Sequence, residues 1–415
     1  MKIAIVGSGI AGLTCAYLLN RQHDIQVFEA SDWIGGHTHT VDVEVQGRSY
    51  AIDTGFIVFN DWTYPNFIRL LEQLGVGFKP TEMSFSVSDP ATGVEYNGHD
   101  LNTLFAQRSN LLSPAFWGML RDILRFNRQS LDDLANNRIS ADTTLGQYLD
   151  SNGYGRRFIE HYIVPMGSAI WSMSLADMLG FPLQFFVRFC KNHGLLSVSD
   201  RPQWQVIEGG SRSYVAPLTA SFAERIRLNC PVSRVVRDQD GVTLHSAAGA
   251  ERFDKVIFAC HSDQALALLE QPSEQERDIL GALPYANNDV VLHTDTRLLP
   301  KRKLAWASWN YRLGGPREQM AAVTYDMNIL QGIDSDTTFC VSLNQTAAID
   351  PSKILARFQY AHPQYSLAGT AAQARWEELL GAQHTYYCGA YWANGFHEDG
   401  VVSALRVARA FGETL

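Results

Sequence analysis

Hydrophobic and polar positions run through a strand-like period, a helix-like period and a strand-like period again. Lys2 to Val6 is a short β-branched run that Gly7 ends, Ala11 to Asn20 has helical spacing, and Ile25 to Glu29 is a second strand. Together they predict a β-turn-α-β unit. Ser49 to Asp53 reads as a further strand, and Tyr64 to Leu74 as an amphipathic helix that Gly75 terminates. From about Leu101 to Cys190 apolar residues recur at helical intervals, as in Phe116, Met119, Leu120, Ile123 and Leu124. Strands return after Gln203, at Arg227 to Val236, Gly241 to His245 and Lys255 to Ala259, the last apolar enough to be buried. A mixed segment follows from Pro284 to Gly381. The strand Thr385 to Cys388 then leads through a glycine-rich loop to a helix over Val401 to Phe411. No repeat or low-complexity linker divides the chain. The pattern predicts one dinucleotide-type fold in three separated pieces, with insertions between them.

Composition narrows the function. The 415 residues carry a formal charge of -9, which argues against a nucleic-acid partner. Six cysteines stand far apart without a CxxC, so neither a disulfide framework nor a zinc site is expected, and a reducing compartment fits. Twelve histidines show no metal-ligand spacing, so no metal is expected. Ile3 to Leu19 is apolar enough to imitate a signal peptide, but three glycines interrupt it and no small-residue cleavage site follows. No other run approaches the roughly 20 apolar residues of a membrane span. The expectation is a soluble cytoplasmic protein, with peripheral membrane contact left open.

The first chemistry-bearing motif is Gly7-Ser8-Gly9-Ile10-Ala11-Gly12. In a GxGxxG turn the first glycine permits the tight bend, the second lets a diphosphate approach the backbone, and the third lets helix and strand pack. The phosphates sit on the helix N-terminus, where free N–H groups and the dipole favour anions. Glu29, followed by Ala30 and Ser31, ends the next strand where a carboxylate for the ribose hydroxyls is expected. This motif does not separate NAD from FAD. Gly35-Gly36-His37-Thr38 adds a second glycine pair, useful to a longer ligand whose ribityl chain runs past the diphosphate, although a plain turn reads the same way.

These segments resemble the flavin amine oxidase superfamily, which includes monoamine oxidases, protoporphyrinogen oxidase and phytoene-type desaturases. Further points of resemblance are Glu208-Gly209-Gly210-Ser211, Pro231-Val232, Tyr387-Cys388-Gly389-Ala390 and Gly395-Phe396-His397-Glu398-Asp399-Gly400-Val401. A bacterial subgroup of predicted NAD/FAD-binding oxidoreductases is similar also in Asp53 to Asn60 and Tyr64-Pro65-Asn66. The resemblance implies an α/β fold with a Rossmann-like FAD-binding domain, discontinuous over 1–80, 203–283 and 383–415. An α+β substrate-binding domain over 81–202 and 284–382 would be inserted in it, with 101–200 a largely helical subdomain. It also implies non-covalent FAD, with Val232 meeting the adenine, Gly55, Phe56 and Ile57 beside the isoalloxazine, and the Gly389 to Val401 segment closing over the flavin. A helix N-terminus there would stabilise anionic reduced flavin.

The departures from the family matter as much. His37 stands where an arginine usually follows the glycine pair, and Ala390 where an acidic residue often follows the closing glycine, leaving Glu398 or Asp399 as candidates for the ribityl contact. The strand at Tyr285 to His293 offers Asn288 or Asp289 but no lysine, and Phe396 replaces one tyrosine of the aromatic cage that holds an amine. Phe59, Trp171 and Trp392 are candidate walls of an apolar tunnel, each of which also reads as core. His397 is a candidate base or tuner of the flavin, or a capping residue. His261 reads as a loop residue, and His293 with Asp295 as a local pair. The expected reaction is hydride transfer to flavin N5 from a C–H bond of a largely apolar small molecule or lipid, with oxygen or an electron carrier as acceptor. An amine oxidase and an FAD-binding isomerase or non-redox flavoprotein are the alternatives.

Overall fold

The computed structural model describes residues 1–315 and 320–415, so four positions of the stretch read as mixed lie outside the described residues. Three distant stretches meet in one parallel sheet, ordered Ile226–Arg227, Asp24–Phe28, Lys2–Val6, Lys255–Phe258, Thr385–Tyr387. A parallel sheet needs cover on both faces, and the alternation of its strands supplies two apolar sides. Ile3, Ile5, Val27 and Ile257 pack towards the Ile10–Leu19 and His397–Ala410 helices. Ala4, Val6, Phe28, Val256 and Phe258 face a meander of Val232–Asp238, Gly241–Ser246 and Gly249–Phe253 and the helices after it. This is the doubly covered α/β arrangement of a Rossmann-like fold.

A second sheet of mixed sense runs Ile354–Pro363, Tyr285–His293, Cys340–Leu343, Val323–Asp326, Trp309–Arg312, Phe85–Asp89, Val94–Asn97. Against it lies a helical block whose longest members are Pro114–Ala135 and Leu183–Asn192. Among the described residues, no helix is long and apolar enough to cross a membrane.

One boundary differs in a way that matters. The last helix starts at His397, four residues before the predicted Val401. Asp399, third in the helix, accepts from the Phe396 amide at 2.9 Å, so the carboxylate winds the apparent loop into a first turn.

Candidate active site

The dinucleotide cradle forms because three glycines leave room that any other side chain would fill. A Cβ on Gly12 would stand 2.0 Å from the Gly7 carbonyl oxygen and 3.0 Å from Ala259 Cβ, which is how closely helix and sheet approach. Gly7 has φ +106, and a Cβ there would meet the Ala259 carbonyl at 2.9 Å. Gly9 differs: nothing lies within 4 Å of its Cβ position. The Ile10–Leu19 helix has no side-chain cap and no acidic residue in its first turn. Its N-terminal N–H groups therefore open onto space, and that donor set fits a diphosphate. Glu29 holds the turn from the other side, accepting from the Ser8 amide at 2.9 Å, the Ser8 hydroxyl at 2.6 Å and the Ser31 amide at 2.9 Å. Ala30, between Glu29 and Ser31, is exposed.

The second glycine pair sits on the first. Gly9 and Gly35 form a parallel bridge, the Gly35 amide donates to Ser8 Oγ at 3.3 Å, and a Cβ on Gly36 would lie 3.2 Å from Gly9 Cα. Asn229 and Cys230 donate to the Ser31 and Glu29 carbonyls at 2.9 and 2.8 Å, so Val232 begins its strand beside the end of Asp24–Phe28. Gly55 and Phe56 belong to the same neighbourhood: the Phe56 amide donates to the His37 carbonyl at 2.7 Å, and a Cβ on Gly55 would collide with that oxygen. Ile57 is buried beside them.

The C-terminal motif closes the cradle. Gly400 packs on Ile10, where a Cβ would come within 2.8 Å of the Ile10 side chain, and Val401 is fully buried. The Gly389 amide donates to Ser403 Oγ at 2.9 Å, and Ala390 starts the turn that leads to the helix. His397 Nε2 lies 3.0 Å from Thr38 Oγ1 and 3.1 Å from the Tyr214 hydroxyl, and its ring stacks on Phe56 with centroids 3.4 Å apart. Burial, helped by His37, holds the imidazole well below its usual pKa. His397 is thus a neutral, anchored ring, not the base poised near neutrality that its position in the sequence suggests.

Three expectations change with the fold. Glu398 and Asp399, the candidates for the ribityl contact, have protein partners. Glu398 caps the Pro65–Leu74 helix, accepting from the Asn66 and Phe67 amides at 3.1 and 2.8 Å. Asp399 accepts from the Phe396 and Asn394 amides at 2.9 and 3.1 Å, and burial raises its carboxyl to about 6. Phe59 is sealed in the core with Tyr64, Phe67 and Phe78. Trp392 packs with Tyr391 and Tyr387 on the other face of the parallel sheet, away from the cradle.

Trp171 belongs to a buried aromatic cluster, of which Phe396 lines a cleft. Its ring lies 4.4 Å from Phe181 and 4.8 Å from Phe189, Phe189 stacks on Phe396 at 5.2 Å, and Phe185 and Tyr365 complete the group. Beside Phe396 opens a cleft of about 390 Å³, lined also by Trp62, Tyr64, Asn192, His193, Asn394, Glu398 and Asp399. His193 was not legible in the sequence. Its Nδ1 donates to the Phe189 carbonyl at 2.9 Å, which leaves the lone pair on Nε2, and burial lowers its pKa to about 4.

Asn288 lies on the strand expected to carry it, fully buried, with Oδ1 accepting from Asn344 at 2.8 Å and Nδ2 3.4 Å from His362 Nδ1. His362 belongs to a cluster with His37 at 5.5 Å, and His37 stands 6.2 Å from His261. Desolvation lowers His37 and His261 to about 4 and His362 to about 3, and each feels a neighbouring histidine. His261 is therefore more than a loop residue, while His293 and Asp295 do bond locally, at 3.0 Å.

A family model described as flavin containing amine oxidoreductase matches residues 10–327. The flavin-containing monoamine oxidase AofH of Mycobacterium tuberculosis is 24% identical over 331 residues, 76% of this chain and 67% of that one. The 1-hydroxycarotenoid 3,4-desaturase of a Flavobacterium is 34% identical over 100 residues, 24% of this chain and 18% of that one. A fatty acid isomerase from P. acnes that produces CLA superimposes with TM-score 0.72 at 15% identity, covering 99% of this chain and 98% of its own, a likeness of fold.

Proposed function

The chain belongs to the family of flavin containing amine oxidoreductases, with FAD as its cofactor, and from that premise we propose that it oxidises a C–H bond of a largely apolar small molecule or lipid. The observation that carries this reading is the cleft at the N-terminus of the closing helix, where the rings of Trp62, Tyr64 and Phe396 stand together and Phe396 is backed by Phe189 and Trp171 of the core. FAD, when bound, supplies a hydride acceptor at N5. The chain's own part is to orient and dry the substrate. These cleft rings offer edge and face contacts to an alkyl or polyene chain and carry no charge to retain an ammonium group. Asp399 and Glu398, the acids of the cleft, are engaged by backbone amides. Desaturation releases a proton to solvent as well as a hydride to the flavin, because burial holds the imidazole of His193 on the cleft wall at about 4 and makes it a weak proton acceptor. Oxygen or an electron carrier then takes the electrons.

Anaerobic mixing of the yellow holoprotein with unsaturated or methyl-branched fatty acyl compounds, and separately with primary amines, tests the proposal. Bleaching of the flavin band by the apolar compounds alone is expected. Bleaching by amines alone would replace the reading with amine oxidation, a reading supported by the AofH likeness. Turnover of a fatty acid with no net flavin reduction would replace it with isomerisation.

A further inference from the structure

Exposed leucines gather at one end of the helical block, where nothing in the fold explains them. Leu112 is 88% exposed, Leu101 77%, Leu124 57%, Trp117 50% and Leu111 46%. Scattered apolar residues are ordinary on a surface, but a contiguous set is not. Along Pro114–Ala135 the outward positions Trp117, Arg121, Leu124 and Arg128 recur at intervals of four, three and four, so apolar and cationic groups share one helix face. The set is built, because the Trp117 indole donates to the Leu111 carbonyl at 2.9 Å and holds the Arg108–Leu112 turn against the helix. Core packing is already provided beneath by Phe105 and Phe116, whose rings meet at 5.7 Å.

The charge of this face opposes that of the molecule. Between residues 101 and 128 stand Arg108, Arg121, Arg125 and Arg128, with Asp122 as the sole acid of that stretch, in a chain of net charge -9. Asp122 is buried, accepts from the Gly155 amide at 2.8 Å and lies 3.9 Å from Arg121 and 3.7 Å from Arg125, while the Arg121 side chain remains 80% exposed. Asp100, just before the stretch, is turned onto the Thr103 amide, and Arg125 onto the Tyr154 ring. The Lys303–Ala305 turn packs beside the Leu101–Leu104 helix and adds exposed Lys301, Lys303 and Leu304. Its Arg302 is paired with Glu95.

We propose that this face, centred on Leu111, Leu112 and Trp117, docks on an anionic lipid surface. Tryptophan and leucine partition at the headgroup boundary, and arginine and lysine around them meet lipid phosphates. A second copy of an acidic chain would meet the cations with some complementarity, but would leave the apolar tips without a matching pocket. The inference rests on the surface alone, and its readout needs no turnover, so it stands or falls separately from the substrate.

Flotation of the FAD-loaded full chain with vesicles of phosphatidylglycerol and phosphatidylcholine, against phosphatidylcholine alone, provides the test. The wild type is expected to float with the anionic vesicles and to be released by high salt. Leu111→Asp with Leu112→Asp, and Arg121→Glu with Lys303→Glu, should each weaken association about tenfold. Leu355→Asp, on the Ile354–Pro363 strand, should leave it unchanged. Unaltered flavin absorbance and melting temperature would show that the leucine variant is folded. Wild type that ignores anionic vesicles, or a leucine variant that floats as wild type does, overturns the proposal. So does a wild-type dimer that the leucine variant dissociates in the absence of vesicle binding, which would make the face a contact between copies of this chain.

Discussion

Gly9 and Gly12 belong to one motif but have opposite surroundings, and substitutions should separate them. Gly9 has φ -68, open to any residue, and empty space where its Cβ would point. Gly9→Ala should therefore fold with an unchanged melting temperature and bind FAD at least about tenfold more weakly, because the methyl occupies the diphosphate's approach. Gly12→Ala has no such freedom, since its Cβ would lie 2.0 Å from the Gly7 oxygen, and it should fail to give folded protein. Soluble yield and circular dichroism check Gly12→Ala, and flavin fluorescence titration checks Gly9→Ala; a Gly9→Ala protein with wild-type affinity would remove the diphosphate from that space. The motif shows how legible the cradle is in sequence. Glycines report backbone geometry directly, and the strand before them and Glu29 after them fix the context. Side chains are less legible: Glu398 and Asp399 carry the right charge for a ligand, yet the nearest donors are the chain's own amides.

Among the elements, the Pro65–Leu74 helix depends on a residue more than 300 positions away. Its N-terminus has no side-chain cap from its own N-cap residue, Tyr64, and Glu398 supplies the acceptor from the first turn of the last helix. Glu398→Gln keeps the shape and one oxygen but loses the charge at the helix N-terminus, and should lower stability by about 1 kcal/mol. Urea denaturation reads this as a lower midpoint at unchanged slope; an unaltered midpoint would make the cap irrelevant. Periodicity predicted both helices well in their interiors. It missed the early start of the last helix, because Asp399 bonding the Phe396 amide is a local hydrogen bond that an apolar pattern does not register.

At the scale of the whole molecule, buried titratable groups set the pH response. His37, His193, His261 and His293 are lowered to about 4, and His362 to about 3, from 6.5. Between those values and 6.5 the unfolded chain binds more protons than the native one, so the stability they contribute above about 6.5 is lost as the pH falls. Asp53, Asp326 and Asp399 act oppositely: burial raises each from 3.8 to about 6, and their contribution is lost as the pH rises through that value. Five histidines outweigh three aspartates, so the urea midpoint should fall from pH 7 to pH 5, and His362→Asn should flatten that slope. A midpoint that rises on acidification would show the carboxyls to dominate.

The sequence by itself determined the dinucleotide turn, the parallel sheet built from three separated stretches, and the flavin family, because these rest on glycine geometry and on periodic burial. Tertiary structure alone decided which aromatic rings reach the cleft, that Trp392 faces the other side of the sheet, and that His193, His261 and His362 stand near the site at all. Those residues come from segments with no shared pattern. Their proximity follows from how sheets and helices pack, and only that packing strips water from their imidazoles and holds them neutral.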